Sequence, residues 1–163
     1  MHTRHAKPKD AHAISALIDL YVADGTLLPR TPSFIVAQAE HFLVAEQNGR
    51  LLGCVHLDEY APSLSELRSL AVDAEARGRG VGRALVHATE ALARQRGSAT
   101  LFAVSNDEAF FNRFGFFARH IPELDRERSE VSRYKGVFAK DLEVVQTLPR
   151  VAFPFNAGAG DNV

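Results

Sequence analysis

The chain has 163 residues, 46% of them apolar, enough to bury the core of one globular domain. Its 19 Lys and Arg against 20 Asp and Glu leave a formal charge of -1, which gives no reason to expect nucleic acid or an anionic membrane as partner. The single cysteine, Cys54, excludes an intrachain disulfide framework and a paired-cysteine zinc site, and no apolar run approaches the roughly 20 residues of a membrane span.

Asp10 can cap a first helix, in which Ile14, Leu17, Ile18, Tyr21 and Val22 recur at helical spacing until Asp24-Gly25. Two prolines make 26–33 a loop, and a short helix is predicted from Ser33 to Glu40. The apolar runs His41 to Glu46 and Leu51 to Asp58 flank Asn48-Gly49, a hairpin signal, so they read as antiparallel neighbours. Cys54 lies within the second run and reads as a buried, inert thiol. After a break at Tyr60-Ala61-Pro62, Leu64 to Val72 reads as a third strand.

A glycine-rich turn follows, then a long helix to about Arg96 with Val81, Leu85, Ala88 and Leu92 on one face and Gly97 at its end. Ala99 to Val104 reads as a buried strand, Asp107 to Phe114 as a short helix stopped by Gly115, and Phe116 to Arg119 and Gly136 to Val144 as strands. The fold class is therefore α/β of the α+β type: one mixed, mainly antiparallel sheet flanked by helices, in a domain over 1–147. Residues 148–163 read as a loose tail, whose apolar segment Leu148 to Phe155 would cover either a partner chain or its own domain.

The chemistry concentrates at Arg77-Gly78-Arg79-Gly80-Val81-Gly82. Three glycines between a strand and a helix let backbone N–H groups converge on an anion, and the helix dipole favours negative charge at the same point. Arg77, Arg79 and Arg83 add positive charge, although in three directions. A Rossmann fingerprint would need glycine where Arg83 stands, and a Walker loop would need Gly-Lys-Ser/Thr, so neither common nucleotide loop fits.

The stretch Leu70 to Leu85 resembles the signature of the GNAT superfamily of N-acyltransferases, Gln/Arg-x-x-Gly-x-Gly/Ala, with Arg77, Gly80 and Gly82 at the matching positions. The resemblance implies a GNAT-like fold and acetyl-CoA bound by the backbone of Val72 and of Arg77 to Gly82. The pantetheine arm would run past Leu70 and Ala71, and Arg83, Asn106 and Phe111 would complete the cofactor side. Asn106 has a second reading as a helix cap. Such proteins often pair, which makes a homodimer an expectation, and the cytoplasm is the expected compartment.

A narrower resemblance rests on Leu27-Leu28-Pro29-Arg30-Thr31, Glu66-Leu67-Arg68-Ser69-Leu70-Ala71-Val72 and Phe110-Phe111-Asn112-Arg113-Phe114-Gly115-Phe116. These look like the acyltransferase domain of N-acetylglutamate synthase and its short, single-domain relatives. The match implies that Arg30 binds a carboxylate of a small amino-acid substrate, glutamate first, with Arg68 also on the substrate side, in the service of arginine synthesis. The family's Arg-Arg-Ser-Lys-Val-Leu pattern survives only in part as Arg133-Tyr134-Lys135-Gly136-Val137-Phe138, where Arg133 and Lys135 would replace lost contacts. Other readings stay open: an acyltransferase for another amine or a protein N-terminus, or a CoA-binding sensor without catalysis.

Acetyl transfer from a thioester to an amine needs a neutral amine, a polarised carbonyl and a stabilised thiolate. Glu66 is the candidate base, because strand alternation puts it on one face with Arg68; the bland alternative is an ion pair between the two. Many GNAT enzymes have an acidic Tyr where this chain has Phe111, which leaves Tyr134, Ser105 and Ser69 as candidate acids, or solvent. The histidines show no metal-ligand spacing, so no metal is expected. His56 reads as a satisfied structural histidine or a cleft residue.

Overall fold

The computed structural model describes residues 1–126 and 134–143; Arg133, Val144 and the segment 148–163 lie outside the described residues. Eleven longer elements follow in the order β1 His2–His5, α1 Ala11–Asp19, α2 Pro32–Ala37, β2 Phe42–Gln47, β3 Arg50–Ala61, β4 Leu64–Val72, α3 Val81–Gln95, β5 Thr100–Ser105, α4 Glu108–Asn112, β6 Phe117–Ala118 and β7 Gly136–Asp141. The strands form one sheet in the order β1-β2-β3-β4-β5-β7-β6, antiparallel throughout except for β4 and β5. No helix among the described residues is long and apolar enough to cross a membrane.

Alternation along β2 shows why the sheet is covered on both faces. Leu43 and Ala45 pack with Val55, Leu57, Leu67 and Leu101 against Val81, Leu85 and Leu92 of α3. Phe42 and Val44 face the other way, with Cys54, toward Ile14 and Ile18 of α1 and Ile35 of α2. At the hairpin between β2 and β3, Asn48 and Gly49 both have positive φ, 52° and 77°, as the tight turn requires.

Several expectations need correction. β1 was not foreseen, since four polar residues at an exposed sheet edge carry no apolar alternation. The first helix stops at Asp19; Tyr21 and Val22 continue its apolar rhythm in tight turns, with Tyr21 N–H donating to Ile18 C=O and Val22 N–H to Asp19 C=O. Those i→i+3 bonds bring the chain round more sharply than an α-helix would. The second helix begins at Pro32 rather than Ser33, because the Thr31 hydroxyl accepts from Phe34 N–H and proline suits the first turn. β3 runs through the supposed break to Ala61.

What positions the site is a parting of strands. β4 pairs with β5 only from Leu64 to Glu66, opposite Thr100 to Phe102. Beyond Glu66, β4 keeps its pairing with β3 as far as Val72, and β5 keeps its pairing with β7 as far as Ser105. A wedge therefore opens between them. A bulge bends β4 within the wedge: His56 pairs with Arg68 and Cys54 with Ala71, so β4 carries one extra residue, and Ser69 takes a φ of 53°.

Candidate active site

The wedge is the mouth of a cavity of about 790 Å³, walled by Leu67 to Leu70 and Val72 on one side and Ala103 to Ser105 on the other. At one end lies the glycine-rich turn, of which Arg77 and Gly82 line the wall. Gly78 and Gly80 have φ of 75° and 81°, which a side chain would strain, and the space around each is open. Gly82 lies against the Phe110 ring, which a Cβ there would touch at 3.4 Å. Gly80 caps α3 without any side-chain hydrogen bond, so the first N–H groups of this 15-residue helix stay available to an anion.

The three arginines of the turn do point three ways. Arg77 donates to the Tyr21 hydroxyl at 2.8 Å and lies over its ring at 5.4 Å, Arg79 donates to Gln47 at 2.6 Å, and Arg83 lies over Phe114 at 5.7 Å. Of the residues foreseen on this side, Leu70, Val72, Arg77, Gly82 and Phe111 line the cavity. Ala71 and Val81 are buried in the two cores. Asn106 is exposed and caps nothing; Asp107 caps α4 by accepting from Phe110 N–H. Phe111 serves both core and cavity, stacked on Phe138 at 6.3 Å.

At the other end Glu66 and Arg68 line the cavity, and cross-strand register sets His56 and Asp58 beside them, outside its lining. His56 faces Arg68 and Asp58 faces Glu66, while Leu57 and Leu67 between them point to the opposite core. Arg68 Nε lies 3.2 Å from Glu66 and its Nη1 3.4 Å from Asp58. The ion pair foreseen as the bland alternative therefore exists, yet it does not hold Glu66 ionised. Burial, reinforced by Asp58, pushes the Glu66 carboxyl from 4.5 up to about 7 against the opposing pull of Arg68 and Arg30. A carboxyl poised there can take a proton near neutrality.

His56 is buried but unsatisfied: neither ring nitrogen has a hydrogen-bond partner among the described residues. It stacks on Phe42 at 4.4 Å, and burial pulls its pKa from 6.5 down to about 4, so the ring is neutral. Arg30 reaches the same end from the loop before α2. Its Nε is buried without a hydrogen-bond partner among the described residues, its guanidinium lies over Phe34 at 5.1 Å, and burial and Arg68 lower its pKa. Lys135 also lines the cavity, donating to Gly25 C=O at 3.0 Å and Thr26 C=O at 2.8 Å.

Of the candidate acids, Ser105 and Ser69 line the cavity, whereas Tyr134 is 89% exposed and stands away from its wall. Cys54 is fully buried, its thiol pushed up to about 12 by burial, as an inert structural cysteine should be. Asp58 and Tyr21 are the residues that sequence reasoning missed. The signal for Asp58 was its alternation with His56 opposite Glu66 and Arg68; Tyr21 read only as part of an apolar helix face.

Comparison with known proteins agrees with this geometry. The family described as Acetyltransferase (GNAT) domain matches residues 38–117. An uncharacterized N-acetyltransferase of Chlorobaculum tepidum is 36% identical over 113 residues, covering 69% of this chain and 73% of that protein. The amino-acid acetyltransferase of Mycobacterium tuberculosis is 33% identical over 116 residues, 69% of this chain and 66% of its own. N-acetylglutamate synthase from Neisseria gonorrhoeae, solved with coenzyme A and N-acetyl-glutamate, superposes with a TM-score of 0.79 at 29% identity over 86% of this chain. The chain spans 34% of that synthase's length. An uncapped glycine turn at the head of α3, a wedge between β4 and β5 and these relatives lead to one conclusion: the chain belongs to the GNAT family of N-acetyltransferases.

Proposed function

We propose that the chain acetylates the α-amine of a small acidic amino acid, glutamate first, with acetyl-CoA as donor. One observation carries the acceptor: Arg30 presents a buried Nε without a hydrogen-bond partner among the described residues at the wall of the cavity, close enough to Glu66 for their charges to interact. An acceptor carboxylate supplies the missing oxygen, and a guanidinium binds it in two-pronged fashion. Arg68, already shared between Glu66 and Asp58, steadies the base, and Lys135 holds the loop that carries Arg30.

Acetyl-CoA would lie with its phosphates at the backbone N–H groups of Arg77 to Gly82 and its arm along Leu70 to Val72. Glu66 takes a proton from the acceptor's ammonium, directly or through water. The freed amine attacks the thioester carbonyl, the C–S bond breaks and CoA leaves as thiolate; the second proton, shed by the nitrogen as the amide forms, passes to that thiolate through solvent or relayed by the hydroxyl of Ser105 or Ser69. The names of the relatives support the amino-acid acceptor: an amino-acid acetyltransferase at 33% identity and the synthase with its bound product.

The test follows thiol release from acetyl-CoA across a panel of amino acids. Glutamate gives turnover, and Arg30→Ala raises its KM about 10- to 100-fold, the worth of about 1.5–3 kcal/mol for a charged hydrogen bond. An unchanged KM removes Arg30 from recognition, and release with another amine but not with glutamate rejects the acidic acceptor.

A further inference from the structure

The two ends of the cavity are joined by a chain of contacts that acetyl transfer does not itself require. Tyr21, at the first turn beyond α1, sends its hydroxyl to the C=O of Val72, the last residue of β4, while the same oxygen accepts from Arg77 Nη2. Arg77 also covers the Tyr21 ring. Tyr21, Val72 and Arg77 all line the cavity, so the hydroxyl sits in its wall beside the glycine turn. The guanidinium that opens the turn is therefore spent on a residue of the acceptor side.

Tyr21 continues toward the acceptor through its backbone. Its C=O accepts from Leu27 N–H at 3.0 Å, and the hairpin of chain between them is closed by Gly25 N–H on Val22 C=O and Thr26 N–H on the Asp24 carboxylate. Lys135, from the head of β7, ties the same hairpin by Gly25 and Thr26 C=O. Arg30 follows three residues after Leu27, its C=O held by the Ser15 hydroxyl at 2.7 Å. Tyr21, Val22 and Leu27 pack against the core of α1 and α2, while Ala23 to Thr26 and Leu28 to Pro29 are exposed, so these hydrogen bonds join a few apolar contacts in setting the segment's position.

We propose that Tyr21 is a positioning residue that couples the donor turn to the acceptor loop. A donor in the cavity orders Val72 and Arg77; Tyr21 passes that order through Leu27 to residues 24–30, and Arg30 is presented to the acceptor. Occupancy of the donor site then raises acceptor affinity, and by linkage the acceptor raises donor affinity equally. This inference rests on the acceptor reading for Arg30 but can fail separately from it.

Tyr21→Phe keeps the ring under Arg77 and deletes both hydroxyl bonds. The first arm uses coenzyme A alone and follows amide hydrogen exchange in the segment 20–31. Coenzyme A slows exchange there in the unaltered protein, and in Tyr21→Phe the added protection is lost while coenzyme A still binds. Equal protection in the variant, or none in the unaltered protein at saturating coenzyme A, overturns the proposal. The second arm uses turnover: the variant raises the acceptor KM about tenfold with kcat within about threefold, and matched thermal midpoints separate this from unfolding. A kcat loss with unchanged KM overturns it too. Absence of turnover with every amine would sink the acceptor reading and leave the exchange result standing.

Discussion

Replacing Glu66 by glutamine separates the cost of a buried carboxylate from its use. In the folded protein this group titrates near 7 instead of 4.5, because burial disfavours its charged form. Between those pH values the folded protein binds a proton that the unfolded chain has released, so stability falls as pH rises from 4.5 and levels off above about 7. At about 1.4 kcal/mol for each tenfold in proton affinity, that displacement is worth about 3 kcal/mol. Glutamine keeps the shape without the charge. In urea unfolding, Glu66→Gln should come nearest the unaltered protein below pH 4.5 and exceed it by up to about 3 kcal/mol near pH 8, less what Arg68 loses as its partner. The same variant should lose most of its kcat, and the rise of kcat with pH toward 7 should flatten. A stability difference that does not change with pH would refute the burial argument, and an unaltered kcat profile would remove Glu66 from proton transfer.

His56 acts with the opposite sign. Its pKa falls from 6.5 to about 4 on folding, so its contribution is present above 6.5 and lost as pH falls toward 4. The two slopes offset one another in the unaltered protein over roughly the same window, and His56→Phe should expose the Glu66 slope alone; urea midpoints at a series of pH values would show it, and an unchanged profile would contradict it. Gly80→Ala meets no atom within 4 Å but must hold a φ of 81°, so it should weaken coenzyme A binding through about 1–2 kcal/mol of backbone strain, read by calorimetry. Cys54→Ala should leave turnover unchanged, and the native thiol should resist labelling until the protein is unfolded, since it is fully buried and titrates near 12.

The glycine turn was legible because its meaning is local: three glycines between a strand and a helix define a backbone shape within a few residues, and α3 begins where the spacing says it must. The long strands and Asn48-Gly49 were legible for the same reason. Arg30, Glu66 and Arg68 stood out through a resemblance of short motifs, and strand alternation put the last two on one face. The exposed strand β1 left no such trace, since polar residues at a sheet edge do not alternate with apolar ones.

Tertiary structure decided what those residues meet. Whether β4 and β5 stay paired or part after Glu66 depends on the paths set by their outer neighbours, β3 and β7, and those strands lie far apart in the chain. The register of β3 on β4 set Asp58 beside Glu66, burial raised the carboxyl toward neutrality, and His56 was left without hydrogen-bond partners among the described residues. Arg77 read as a phosphate neighbour until the turns after α1 brought Tyr21 beneath it. Sequence by itself determined the glycine turn and the family to which it belongs, because backbone conformation follows from neighbours along the chain. Proton affinity, strand divergence and the direction of a long side chain follow from neighbours in space, and only the folded chain supplies those.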